Sequence, residues 1–397
     1  MISLKKKEII KITGCTKIHK KNFLPFNAVS LDFLTTLSKT ILAQKKLYKY
    51  NDLISFAFWC RNSNIKKRYQ NFVDQNNYIR KGIGTILHIP PSNTPIAAAY
   101  SFAFGLLSGN TNIIRISDPS LENIKIFLGI IDILFKKQKF KQVKENNAFI
   151  TYNKEKNISN SLSSLIDGRI IWGGEKTIKD FKKMDTKNSC KDIFFDDKYS
   201  ISVIDFKRYH SLSIAEKNKL IKNFYNDTFI MDQNACSSPH LIFWINKDKK
   251  KNDFWVRLDD FVKTKYKLTN ELQNIKYNRL NKILFNFNFL EESYNLNKIS
   301  IYKIKNLNPE IVNLRGYAGI FFETTIKNVD ILKKIINEKF QTITYFGIDK
   351  NKLVNLAKNA DVTGLCRTVP IGQAIDMDLI WDGKNVINEL TRIIEVK

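Results

Sequence analysis

Between Asp232 and Pro239 the sequence reads Asp-Gln-Asn-Ala-Cys-Ser-Ser-Pro, a small polar stretch directly ahead of the apolar run 241–244. A cysteine in such a turn can be exposed at a strand mouth, with backbone N–H groups beside it. Those are the requirements of a covalent nucleophile, and Cys236 is the candidate. The commoner role of a cysteine is a small buried hydrophobe, which is the expectation for Cys15, Cys60, Cys190 and Cys366. No histidine or lysine stands at a fixed close spacing to Cys236, and His240 reads as a strand residue. A lowered thiol pKa there would have to come from the fold or from a cofactor.

Two further segments carry chemistry. Gly173-Gly174 falls between an apolar strand and a helix, where a phosphate can approach a helix N-terminus; taken alone, the pair is more often a plain βα turn. Asn93 follows another strand, and its amide could donate to a developing oxyanion. Asn before an apolar helix is also an ordinary cap.

Elements must place these residues. Residues 1–80 read as mostly helical, with Leu31, Leu34, Leu37, Ile41 and Leu42 near a 3.6 period. Strands are expected at 85–89, 112–116, 148–151, 169–172 and 200–205, alternating with helices near 95–107, 121–135, around Ser161 and from Glu175. Strand–helix alternation of this kind builds a parallel sheet, and ligands bind beyond the carboxyl ends of its strands. Pro91-Ser92-Asn93, Arg115 and Gly173-Gly174 all fall at such ends. A second region follows from about residue 206. It has helices over 213–225, 254–272 and 329–336 and strands over 241–244, 300–304, 319–323 and 342–345.

Composition excludes several classes. The 397 residues carry a formal net charge of +27, but the lysines are spread through likely surface helices instead of forming one arm or stripe. No nucleic-acid partner is therefore expected; the surplus charge favours anionic ligands such as nucleotides or an acidic carrier protein. Five cysteines without CxxC spacing and four scattered histidines offer neither a disulfide framework nor a metal site. No apolar run reaches the ~18–20 residues of a membrane span, and no secretory signal is legible at the N-terminus. A cytoplasmic location is the expectation.

Taken together, the segments resemble a known family. His88-Ile89-Pro90-Pro91-Ser92-Asn93-Thr94-Pro95, then Phe104-Gly105-Leu106-Leu107-Ser108-Gly109-Asn110 and Asn112-Ile113-Ile114-Arg115, resemble the proline–X–asparagine motif, helix and strand of the aldehyde dehydrogenase superfamily. The nearest likeness is to the LuxC-like acyl-CoA reductases, the fatty acid reductase subunits of bacterial luminescence and of some surface-polysaccharide loci. Trp172-Gly173-Gly174-Glu175-Lys176-Thr177-Ile178 looks like that family's nucleotide turn, and Asn234-Ala235-Cys236-Ser237-Ser238-Pro239 like its nucleophile motif. Val369-Pro370-Ile371-Gly372, followed by Asp378-Leu379-Ile380-Trp381-Asp382-Gly383, looks like its C-terminal signature. The likeness runs in order from about residue 84 to 392.

The resemblance implies an α/β, aldehyde dehydrogenase-like fold: a Rossmann-type parallel-sheet cofactor domain plus an α/β catalytic domain. The implied boundaries are 1–205 for the helical region and nucleotide-binding domain and 206–365 for the catalytic domain. Residues 366–397 would return to the cofactor domain. It implies reduction of acyl-CoA, or of an acyl-protein thioester, to an aldehyde through an acyl-cysteine thioester intermediate. Cys236 and Asn93 would be catalytic; Ser92, Arg115, Gly173, Gly174 and Lys176 would bind the cofactor, NADPH with NADH as the alternative. The implied partners are acyl-CoA or an acyl-carrying synthetase protein, in a homo-oligomer.

Departures from the family pattern also bear on function. Phe194 takes the place of the glutamate base of aldehyde-oxidising relatives. A base that activates water is needed to hydrolyse an acyl-enzyme, so its absence favours reduction. Asp118 falls where an acid would repel a 2′-phosphate. Arg315-Gly316-Tyr317-Ala318-Gly319 occupies the region of the superfamily's glutamate–X–phenylalanine motif. Two rival readings stand beside the reductase: an aldehyde dehydrogenase acting oxidatively, and a non-catalytic basic scaffold or binding subunit.

Overall fold

The computed structural model describes residues 1–4, 8–72, 78–92, 94–153, 156–247 and 253–397. The chain forms two compact units, Met1–Asp196 with Asp378–Lys397, and Asp197–Met377.

The first unit opens with a short antiparallel pairing of Ile2–Ser3 with Lys17–Ile18 that flanks strand β1 (Ile10–Gly14), followed by helices α1 (Ala28–Leu42), α2 (Asn51–Trp59) and α3 (Asn62–Phe72). The start, expected to be mostly helical, holds three helices and also strand β1. The segment Ile-Lys-Ile-Thr-Gly pairs antiparallel with a later strand and supplies a sheet edge. Helix α1 begins where the Asn27 side chain accepts the Ser30 N–H at 3.1 Å. Its Phe33, Leu34, Leu37 and Ile41 face inward.

Strands β2 (Tyr78–Gly82) and β3 (Thr85–Ile89) follow, then α4 (Ala97–Leu107), β4 (Thr111–Arg115) and α5 (Glu122–Phe135). Next come β5 (Asn147–Thr151), α6 (Lys156–Ser163), β6 (Gly168–Trp172), α7 (Glu175–Lys182) and β7 (Lys191–Phe195). The sheet order is β1-β5-β4-β3-β6-β7, parallel except at β1. The central strands β3 and β4 are buried at every position, as a parallel strand covered on both faces must be. Helix α4 is buried all round, which its uniformly apolar sequence requires.

A buried polar chain runs beneath α4. The His88 ring nitrogens meet Ser101 Oγ at 2.8 Å and Asn112 Oδ1 at 2.9 Å. Asn112 in turn donates to Asn147 Oδ1 at 2.7 Å. Burial pulls His88 down to about 4, so the ring is neutral at physiological pH. Gly105 makes room for this chain, since a Cβ there would lie 1.9 Å from Asn112 Oδ1.

The second unit runs β8 (Tyr199–Asp205), α8 (Ile214–Phe229), β9 (Pro239–Ile245), α9 (Phe254–Lys265) and α10 (Asn270–Asn286). It continues through β10 (Leu290–Asn295), β11 (Ser300–Ile304), β12 (Ile320–Ile326), β13 (Phe340–Phe346) and β14 (Arg367–Pro370). The order is β10-β11-β12-β9-β8-β13-β14, with only the β10–β11 pair antiparallel. The helix expected over 254–272 is two helices. The chain breaks at Tyr266, and Thr269 caps the second by accepting the Leu272 N–H.

Two apolar clusters cover the faces of this sheet. One contains Tyr199, Leu241 and Phe322; the other gathers Trp244, Trp255 and Phe224. A capping box between Ser213 and Glu216 starts α8, which leads into the turn bearing Cys236.

The chain then returns to the first unit. Its last strand, β15 (Thr391–Glu395), pairs antiparallel with β2. Asn110 joins the returning segment to the older part of the unit, accepting the Gly84 N–H at 2.9 Å and donating to the Leu390 carbonyl at 2.9 Å. Among the described residues no helix is long and apolar enough to cross a membrane, and no group of three or more His, Cys, Asp or Glu could hold a metal ion.

Candidate active site

In the first unit, three sequence-predicted segments meet at one edge. Strands β4, β3 and β6 are adjacent and parallel, so the residues just past Ile89, Arg115 and Trp172 share the carboxyl edge of the sheet. Asn93 lies outside the described residues. Ser92 is exposed and, with Pro90, Pro91, Ser117, Asp118 and Leu121, lines a small open crevice. A crevice at this edge is where a doubly wound sheet takes a ligand.

Arg115 ends β4 and is buried. Its Nη2 donates to the Tyr152 carbonyl at 3.2 Å, its guanidinium lies 4.8 Å over the Tyr152 ring, and its Nε has no partner. Asp118 is exposed. The hydroxyl of Ser120 at 2.5 Å and its N–H at 2.9 Å hold the carboxylate below its ordinary range.

The Gly173-Gly174 turn opens α7. The Gly173 N–H donates to the Phe195 carbonyl at 3.0 Å, and a Cβ on Gly173 would press on Thr177. Gly174 caps α7 without a side-chain hydrogen bond and has open space around its Cα. Trp172 Nε1, immediately before the turn, is buried without a hydrogen-bond partner. An uncapped helix start, an open glycine and an orphaned donor fit the pyrophosphate of a dinucleotide. Lys176, on the first turn of α7, is exposed.

In the second unit, Cys236 is half-buried in the turn between α8 and β9. The turn is held by three residues the sequence did not single out. Gln233, with φ of 62°, is 1 % exposed; its Nε2 donates to the carbonyls of Pro239 and Ile320 at 3.3 and 3.1 Å, and its Oε1 accepts the Gly319 N–H at 3.2 Å. Ser200 Oγ donates to the Cys236 carbonyl at 2.6 Å.

Asp227, buried on α8, is the third. Its carboxylate accepts the Gly372 N–H at 2.6 Å and the Ala374 N–H at 2.8 Å, while its carbonyl accepts from Ser238 Oγ at 2.7 Å. One residue thus ties the nucleophile turn to the Pro370-Ile371-Gly372 turn. Burial pushes its carboxyl up to about 7, against the two N–H donors.

Burial pushes Cys15 and Cys190 up to about 11 and the fully buried Cys60 still higher, so none of these three is a thiolate at neutral pH. His240 is buried and held neutral, first by burial and then by the charges of Arg315 and Arg279.

The model of the acyl-CoA reductase (LuxC) family matches residues 46–271, more than half of the chain. The chain belongs to that family. The matched span of this LuxC-family chain includes the Ser92 crevice, the Gly173 turn and Cys236.

Solved structures share its fold. Aldehyde dehydrogenase 21 from Physcomitrella patens, in complex with the reaction product succinate, superposes with a TM-score of 0.64 at 9% identity, covering 92% of this chain and 85% of that one. The aldehyde dehydrogenase KauB from Pseudomonas aeruginosa gives 0.63 at 12%, covering 93% and 83%. An indole-3-acetaldehyde dehydrogenase in complex with NAD+ gives 0.63 at 10%, covering 92% and 82%. No curated protein matches the chain in sequence. The fold is that of the aldehyde dehydrogenases, and family and fold together make this LuxC-family chain an oxidoreductase of aldehydes or acyl groups.

Proposed function

We propose that the chain reduces an acyl thioester, acyl-CoA or an acyl group carried by a synthetase protein, to the aldehyde with NADPH or NADH. The first unit is the dinucleotide domain and the second carries the nucleophile. The Cys236 turn carries this reading: within the matched family span it presents a half-buried thiol whose backbone is pinned by Gln233, Ser200 and Asp227.

The Cys236 thiolate adds to the thioester carbonyl, and the donor departs as its own thiolate, leaving the acyl group on Sγ. Asn93 and the Cys236 N–H donate to the oxyanion formed on the way. Gly173, Gly174 and Lys176 hold the dinucleotide phosphates, and Ser92 and Arg115 border its ribose. When bound, the nicotinamide supplies the hydride that reduces the acyl carbon as the Cys236 thiolate leaves. Phe194 places no carboxylate base for water, so the acyl-cysteine survives long enough to be reduced.

The test is NADPH oxidation with a long-chain acyl-CoA, wild type against Cys236→Ser. Loss of activity together with loss of acyl labelling on the protein is expected. Full activity in the variant would overturn the covalent step.

A further inference from the structure

Arg279 and Arg315 form a basic pair in the second unit that the proposed chemistry leaves unused. The Arg279 guanidinium, on α10, lies 4.3 Å over the Tyr317 ring. Arg315 lies two residues before Tyr317 and 5.4 Å over the Tyr199 ring. Tyr199 stacks on His240 with centroids 5.5 Å apart, and the Tyr317 hydroxyl interacts with the side chain of Asn234, two residues before Cys236. Both guanidinium planes are therefore seated on aromatic faces that border the nucleophile turn. Stacking of this kind orients the fork of an arginine before a ligand arrives.

Carboxylates stand close as well, since the charges of Asp232 and Glu271 both act on Tyr317. Arg315 is paired with Asp197 at 3.1 Å and donates to the carbonyls of Val312 and Lys198. Among the described residues Arg279 pairs with no carboxylate. Its partial burial, and then the charge of Arg315, push Arg279 below its ordinary value against the opposing effect of Tyr317. Two buried polar atoms in the same column, the Tyr199 hydroxyl and His240 Nδ1, have no hydrogen-bond partner. Two like charges held together beside unpartnered polar atoms are stabilised by a bound anion, and an arginine fork suits phosphate oxygens.

We infer that Arg279 and Arg315 form a subsite for a phosphate ester of the acyl donor's thiol carrier. The inference rests on the thioester reading above and sharpens it, because it makes the donor a phosphorylated pantetheine thioester. Coenzyme A and a phosphopantetheinyl protein share that chemistry.

The experiment compares wild type, Arg279→Gln and Arg279→Lys on tetradecanoyl-CoA and on tetradecanoyl-N-acetylcysteamine, which has the same thioester and no phosphate. Arg279→Gln is expected to raise KM for the CoA thioester about tenfold, with kcat and the KM values for NADPH and the phosphate-free thioester unchanged. Arg279→Lys should recover part of the loss. Calorimetric titration of CoA, dephospho-CoA and phosphopantetheine identifies the phosphate. If Arg279 contacts the 3′-phosphate, only CoA loses affinity in the variant; if it contacts the phosphate nearest the pantetheine, all three do. Equal effects on both thioesters, an effect on NADPH alone, or CoA binding unchanged in Arg279→Gln would overturn the subsite. If no thioester is reduced while CoA binding still depends on Arg279, the reductase reading fails and the subsite stands.

Discussion

The Ser200 hydroxyl donates to the Cys236 carbonyl at 2.6 Å and accepts the Thr342 N–H at 3.2 Å. A residue on one strand thus sets the height of the thiol-bearing turn while bonding to the neighbouring strand. Ser200→Ala leaves a buried carbonyl and a buried N–H each short of a partner. A loss of about 1–3 kcal/mol is expected, read as a lower urea midpoint. The rate of acyl labelling of Cys236 should fall further than the midpoint shift alone explains. An unchanged labelling rate would show that Ser200 only braces the sheet.

Asp227 gives an unusual pH dependence. Its folded pKa stands near 7, above the ordinary carboxyl value, because burial outweighs its two N–H donors. The folded state therefore binds the proton more tightly. The stability this proton provides is complete below the unfolded pKa and is lost as pH rises through about 7. Relative to Asp227→Asn, the wild type should weaken by up to roughly 1.4 kcal/mol per pH unit between those two values. Urea midpoints of both proteins at pH 5, 6, 7 and 8 measure this, and a pH-independent difference would refute it.

Asp118 bears on the choice between the two nicotinamide dinucleotides. Its carboxylate is exposed at the crevice, whereas the Arg115 guanidinium is turned toward Tyr152. An acid near the end of the second strand accepts from a ribose 2′-hydroxyl and disfavours a 2′-phosphate. Asp118→Asn should lower KM for NADPH relative to NADH by about 3–10-fold, the screened repulsion of one exposed charge. Steady-state kinetics with both cofactors decides it; an unaltered ratio places the ribose elsewhere.

Gly105 has no room for a side chain. Gly105→Ala would drive a methyl group into Asn112 Oδ1 and against the His88 ring. The buried chain from Ser101 to Asn147 would have to break, at an expected cost of about 2–4 kcal/mol. Thermal unfolding checks this, and a Tm within 2 °C of wild type, a change of under about 1 kcal/mol, would contradict it.

Parallel-sheet physics made the central strands readable. Thr85–Ile89, Thr111–Arg115 and Gly168–Trp172 are buried at nearly every position, and each keeps an apolar centre, Ile86-Leu87, Ile113-Ile114 and Ile170-Ile171. The edge strand Ile10–Gly14 is short, half polar and stabilised by a partner more than 130 residues away, so its local pattern carried little signal. The break before Asn270 did leave a sign, Thr269 ahead of Asn-Glu-Leu, because a threonine cap with an acid in the first turn marks a helix start.

The nucleophile itself was legible from its small polar neighbours. Its supports were not. Ser200 is 36 positions from Cys236, and Asp227 is 145 positions from Gly372. Contacts at such separations depend on sheet order, which no local pattern encodes. Gln233 stood inside the motif, and its buried amide with φ of 62° could have been suspected from its place between Asp and Asn.

The pairing of Thr391–Glu395 with Tyr78–Gly82 has a consequence for biosynthesis. On the ribosome the partner of Tyr78–Gly82 is made only after the entire second unit has emerged, so this edge waits unpaired through most of translation. The second unit is continuous in the chain and can fold without that delay. The early strand, with Arg80 and Lys81 side by side, carries the charge that keeps a waiting edge from recruiting strands of other nascent chains.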